Sequence, residues 1–169
     1  MPVTHVNRKR DTYFLHAGKT KTGKPRYWFS TKADGDLVDA IPEGYEVYEN
    51  PDARVYLRKK PPQIVTPEEV AVVHEGVKRF APGQNCLVHV RKADIIVYHS
   101  KRGNMYQKML RFTLDDKKDR TFRVQRWCFK GSIDDWIDLW VSGGIIGKLP
   151  DLVREFCPHL GRDSFYDLM

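Results

Sequence analysis

Residues 10–32 read Arg10-Asp-Thr-Tyr-Phe-Leu-His-Ala-Gly-Lys-Thr-Lys-Thr-Gly-Lys-Pro-Arg-Tyr-Trp-Phe-Ser-Thr-Lys32. Two short aromatic runs, Tyr13-Phe14-Leu15 and Tyr27-Trp28-Phe29, flank a connector of Gly, Lys and Thr. Aromatic residues favour strands and Gly-containing clusters turn the chain, so this stretch is predicted to be a β-hairpin with a long basic loop. Within the loop, Gly18-Lys19-Thr20-Lys21-Thr22-Gly23-Lys24 fits the spacing of a phosphate-binding loop. Pro25 then stands where the magnesium-binding Ser or Thr belongs, and the chain continues as a strand rather than the helix whose amides would face the phosphates. A nucleotide-triphosphate site is therefore set aside. Four cations remain, Lys19, Lys21, Lys24 and Arg26, next to Trp28, and they suit the phosphates of a polymer.

Outward from this hairpin the same grammar repeats. Met1 to Lys9 reads as a polar arm, and residues 32–44 as an acidic connector. A second hairpin turns at Asn50-Pro51-Asp52-Ala53, where Pro presets φ and short polar side chains bond back to the backbone. Lys59-Lys60-Pro61-Pro62 ends its return strand. Thr66-Pro67-Glu68-Glu69 is a helix start with capping box and first-turn proline, and Val70, Val73, Val77 and Phe80 follow at helical spacing, so a helix is predicted over 67–80. His74 is placed at the edge of that stripe. A third hairpin spans 86–99 around Lys92-Ala93, with Arg91 and Asp94 as a cross-turn ion pair. Period-two alternation sends His89 and His99 to opposite faces.

A fourth and longest hairpin spans about 105–129. Its core face collects Leu110, Phe112, Leu114, Phe122, Val124 and Cys128. Its other face is predicted to carry Gln107, Met109, Arg111 and Thr113 opposite Thr121, Arg123, Gln125 and Trp127, a composition that can stack bases and contact phosphates. The tail from Ser132 is predicted to be helical, because Ile133, Trp136, Ile137 and Trp140 recur at helical spacing. A second helix starts near Pro150, and a last turn at Phe165 to Leu168 docks on the sheet. The fold class is α+β: antiparallel sheet built from about four sequential hairpins, one packed helix and a C-terminal helical tail. The chain is read as a single compact domain over 1–169, with 1–62, 63–131 and 132–169 as sub-parts.

The 169 residues carry a net charge of +7, with 41% apolar and 30% charged residues. That is the composition of a globular chain with an ordinary core. Residues 1–32 hold eight Lys/Arg against one acid and 63–133 hold fourteen against seven, whereas 134–169 hold three against seven. Such asymmetry points to a polyanion partner. No apolar run approaches the roughly 20 residues that span a bilayer. The three cysteines are far apart and form no C-x-x-C pair, so a reduced, cytoplasmic protein without a cysteine zinc site is expected.

No catalytic constellation has its required spacing, and neither a cofactor nor a metal is expected. Asp134, Asp135 and Asp138 could hold a divalent ion, but their place in the first turns of a capped helix explains them without a metal. In Cys157-Pro158-His159 the proline leaves little room for a nucleophile–base pair. Three function classes stay open. The first is a non-enzymatic DNA- or RNA-binding module using Lys19, Lys21, Lys24, Arg26 and Trp28 on the hairpin, with Gln107, Arg111, Arg123, Gln125 and Trp127 on the sheet. The second is a protein-interaction domain with Trp136, Trp140, Phe165 and Tyr166 exposed in an aromatic tail. The third is a metal-dependent nuclease.

Overall fold

The computed structural model describes residues 1–60, 62, 64–100, 105–130, 133–139 and 144–168. The fold is α+β, two helices against antiparallel sheets. The chain forms two compact units, Met1–Pro61 and Pro62–Met169.

In the first unit, β1 (Thr4–Val6), β2 (Thr12–Lys19) and β3 (Pro25–Ser30) form a sheet in the order β1-β2-β3. Beyond β1, residues 36–38 take the same edge of β2: the Val38 N–H donates to Leu15 O and the Ala17 N–H to Asp36 O. The N-terminal residues, read as a polar arm, are thus strand, because β2 offers that edge. Asn7 locks the turn that follows. Its Oδ1 accepts from the Lys9 and Asp11 N–H groups at 3.0 and 2.7 Å, and its Nδ2 donates to Ala53 O at 2.8 Å. This local bonding holds Arg10 at φ 67°, a region that few non-glycine residues visit. Arg8 pairs with Glu49 (Nε to Oε1, 2.6 Å). The second hairpin, β4 (Tyr45–Glu49) and β5 (Val55–Lys59), turns at Asn50 to Ala53 as predicted, with Asn50 Oδ1 accepting the Arg54 N–H at 2.8 Å.

In the second unit, α1 (Pro67–Phe80) carries the full capping box between Thr66 and Glu69. Glu69 also receives the Arg120 guanidinium (Nε at 2.8 Å). The strands β6 (Cys86–Arg91), β7 (Asp94–His99), β8 (Gln107–Asp116), β9 (Thr121–Lys130) and β10 (Ile133–Asp138) follow in spatial order β10-β9-β8-β7-β6. β11 (Ile145–Lys148) continues along β9 where β10 leaves off. The helix α2 (Leu149–Phe156) and two 3-10 turns, Cys157–His159 and Asp163–Asp167, complete the chain.

The core lies on one face of this sheet, where Ile95, Val97, Leu110, Phe112, Phe122 and Val124 meet Val73, Val77, Leu152, Val153 and Phe156 of the helices. Burying each such side chain contributes about 1.5–3 kcal/mol. Gly76 is required by this packing: a Cβ there would sit 1.9 Å from Val153 Cγ1, so the helices touch where α1 has no side chain. Phe165 and Leu168 dock in the core as expected.

Four further expectations need correction. Residues 133–138 are strand, not helix; Ser132, Trp140 and Gly143, which belonged to that reading, lie outside the described residues, as does the loop 101–104. Asp94 accepts from Thr113 Oγ1 at 2.7 Å rather than pairing with Arg91, although the two are cross-strand neighbours. His74 is exposed. Finally, a register shift between Val97 and Tyr98 sends Met109 into the core and puts Gln107 opposite His99, while Lys108 takes the outer position opposite Tyr98.

Candidate nucleic-acid interface

The β2–β3 hairpin pairs Lys19 with Pro25, Gly18 with Arg26 and His16 with Trp28. Every residue from Lys19 to Arg26 is exposed. The loop closes on itself: the Thr20 N–H donates to Lys24 O (2.8 Å), the Gly23 N–H to Thr20 O (2.9 Å) and the Lys24 N–H to Thr20 Oγ1 (3.1 Å). The Thr20, Gly23 and Lys24 amides are thus bonded within the loop, and Pro25 opens a strand rather than the helix a phosphate cradle needs. The charge is offered by side chains instead. Among the described residues, none of Lys19, Lys21, Lys24 and Arg26 has a carboxylate partner.

Trp28 sits below this tip, 38% exposed. Its ring lies parallel to that of His16, with centroids 5.5 Å apart and planes 11° apart, and the Arg26 guanidinium lies 5.7 Å from the indole centroid. Gly18 makes room for the indole, since a Cβ there would come within 3.0 Å of Trp28 Cζ3. His16 is itself buried, with Nε2 bonded to Lys32 O at 3.0 Å. The stack is therefore held from beneath.

The outer face of the six-stranded sheet presents similar residue types in a different state. Arg111 Nε donates to Gln125 Oε1 at 2.9 Å, and Gln125 Nε2 donates to Asp138 Oδ1 at 2.8 Å, along one cross-strand row of β8, β9 and β10. The Arg111 guanidinium also covers Trp136 at 4.7 Å. Trp127 meets Trp136 edge-on at 5.0 Å, donates from Nε1 to Asp134 Oδ1 at 2.9 Å and lies under the Lys108 ammonium at 3.7 Å. Arg123 is bonded to Asp115 at 3.0 Å. Thus Arg111, Arg123, Gln125 and Trp127 are brought together but already engaged, and Gln107 is not among them. Sequence reading missed Lys108, Asp134, Trp136 and Asp138 on this face. The bulge and strand β10 put them there, and neither has a clear local sequence signal.

A second omission is Arg126. Alternation along β9 places it between Val124 and Cys128 on the core face, opposite Leu110. It is 5% exposed, its Nε has no hydrogen-bond partner, and its guanidinium lies 5.9 Å from the Phe165 ring. A buried N–H left without a hydrogen bond costs about 1–3 kcal/mol.

The other candidates lose their chemistry to geometry. Asp134 and Asp138 share the outer face and Asp135 faces the other way, in register with Cys128. Among the described residues no group of three His, Cys, Asp or Glu could hold a metal ion. Cys157 is wholly buried, and burial, with the Cys86 thiol near it, pushes its pKa up to about 12. His159 Nδ1 bonds to Ser164 Oγ at 2.9 Å. Of the aromatic tail, Phe165 is core and Tyr166 is exposed. Among the described residues no helix is long and apolar enough to cross a membrane. Comparison with protein-family models, curated proteins and solved structures gives no match.

Proposed function

We propose that this chain is a non-enzymatic nucleic-acid-binding module whose principal contact surface is the β2–β3 hairpin. The observation that carries this reading is the set of four exposed cations at the tip, none of which has a carboxylate partner among the described residues. An unpaired ammonium or guanidinium in water keeps its full attraction for phosphate and releases condensed counter-ions when it binds. Paired surface cations must first break their own contacts, so the outer sheet face is assigned no primary role. Its Arg111, Gln125 and Trp127 hold strands together instead.

Fluorescence-polarisation titration against single- and double-stranded DNA and RNA, between about 50 and 200 mM salt, tests the proposal. Steep salt dependence with a preference among the four ligands supports it. Weak binding, equal for all four and lost at the upper salt limit, means that the +7 charge is generic.

A further inference from the structure

Resting on that reading of the hairpin, we infer that its ligand is a single-stranded nucleic acid, one base of which stacks on the Trp28 indole while the phosphates on either side meet the tip cations. Three features of the hairpin favour a single strand over a duplex. The first is the preformed stack: His16 is buried and bonded to the Lys32 carbonyl, and Trp28 lies parallel upon it, so little freedom is lost when a base joins the pile. The indole keeps 38% of its surface in water, although the bare backbone of Gly18 gives it room to lie close to the sheet. A duplex offers its bases only by their edges, whereas an unstacked strand offers faces that an indole can cover.

The second feature is spacing. Trp28 pairs with His16, and the tip pair is Lys19 with Pro25, three residues further along each strand. At about 3.3 Å per residue the Trp28 backbone lies roughly 10 Å from the tip, and its ring leans toward Gly18, the residue before Lys19. A base on Trp28 thus leaves its neighbouring phosphates within reach of Arg26, Lys24 and Lys19. The third feature is chemical tolerance. An indole face stacks on any base, so contact here is largely indifferent to sequence.

The test uses the full chain and labelled mixed-sequence oligonucleotides of about 12 nucleotides, within the usual span of a single-strand site, alongside the matching duplex. Trp28→Ala is expected to weaken single-strand binding about 5- to 100-fold, with duplex binding and the salt slope unchanged. Because Trp28 covers His16, a second variant guards against unfolding. Gly18→Val suits a strand, but its Cβ meets the indole at 3.0 Å and displaces it, so the same selective loss is expected. If both folded variants bind the single strand as the parent does while Lys21→Glu/Lys24→Glu/Arg26→Glu weakens binding about 100-fold, the stacking inference is overturned and the binding module stands. Tighter binding of duplex than of single strand by the parent also overturns it. No salt-dependent binding of any ligand removes the module, and the inference with it.

Discussion

The hairpin β2–β3 and the outer face of the six-stranded sheet are written in the same residue types, Arg, Lys and Trp among polar neighbours, yet they do different things. On the sheet, cross-strand register sets Arg111 beside Gln125 and Gln125 beside Asp138, and the cations sit on aromatic faces. On the hairpin, the opposing strand supplies Pro25 and Gly18, which offer the cations nothing. Composition marks a surface as basic and aromatic. Whether that surface is available to a partner depends on what register puts opposite each charge.

The sharpest way to break this contrast is to exchange charge in the two places. Lys21→Glu/Lys24→Glu/Arg26→Glu is expected to weaken binding about 100-fold and to lower the salt slope by about 2, at roughly 0.7 per lost single-strand phosphate contact. Its melting temperature should stay close to the parent's, because exposed positions of this kind usually change stability by less than about 0.5 kcal/mol. A large fall in melting temperature with binding intact would reverse the assignment.

Arg126 probes the opposite extreme, a buried side chain whose Nε has no hydrogen-bond partner among the described residues. Arg126→Met keeps the side-chain length and removes the buried charge, so stability should rise by about 1–4 kcal/mol in a urea melt. A loss of stability would mean that the guanidinium has a counter-ion in solution. On the sheet face, Arg111→Ala strips Gln125 of its donor and Trp136 of its overlying cation. It should cost about 1–3 kcal/mol in the same melt and change oligonucleotide affinity less than about twofold. A fall in affinity beyond that, with the fold intact, would return the sheet face to the binding surface.

The smallest effect comes from pH. Burial raises the Glu69 carboxyl, but the Arg120 guanidinium and the Thr66 N–H outweigh it and hold the pKa below its usual 4.5. Burial likewise raises Glu49, and Arg8 with His5 brings it below the same value. Each carboxylate therefore contributes stability that is complete above about pH 4.5 and is lost as the pH falls through its lowered pKa. The melting temperature of Glu69→Gln should depend less on pH than the parent's below about pH 4.5. Identical acid profiles would show that the Glu69–Arg120 pair contributes nothing measurable.

Much of this fold is legible in the sequence, because hairpins announce themselves locally. Alternation gave the core face of β8 and β9, the Thr66 capping box gave α1, and Asn50-Pro51 gave the second turn. Failures came where a distant partner decides. Ile133, Trp136 and Ile137 have helical spacing, but β9 is ten residues long and its edge claims them as a strand. The shift at Val97/Tyr98 is a one-residue insertion that no local pattern marks, and it exchanged Gln107 and Met109 for Lys108 on the outer face. Gly76 reads as a flaw in a helix until Val153 is seen against it. At the candidate site the basic loop and Trp28 were visible in advance. The His16 stack on Trp28 required the register, as did the finding that no ion pair among the described residues engages these lysines.

The central claim is that unpaired hairpin cations, rather than net charge, make the contact. Its most direct test is the slope of log affinity against log salt for one single-stranded oligonucleotide, measured in parallel for the parent and for the triple hairpin reversal. A steep parent slope that falls by about 2 in the variant is the expected result. Equal slopes and equal affinities in the two proteins would contradict it, because the binding charge would then lie elsewhere on the chain.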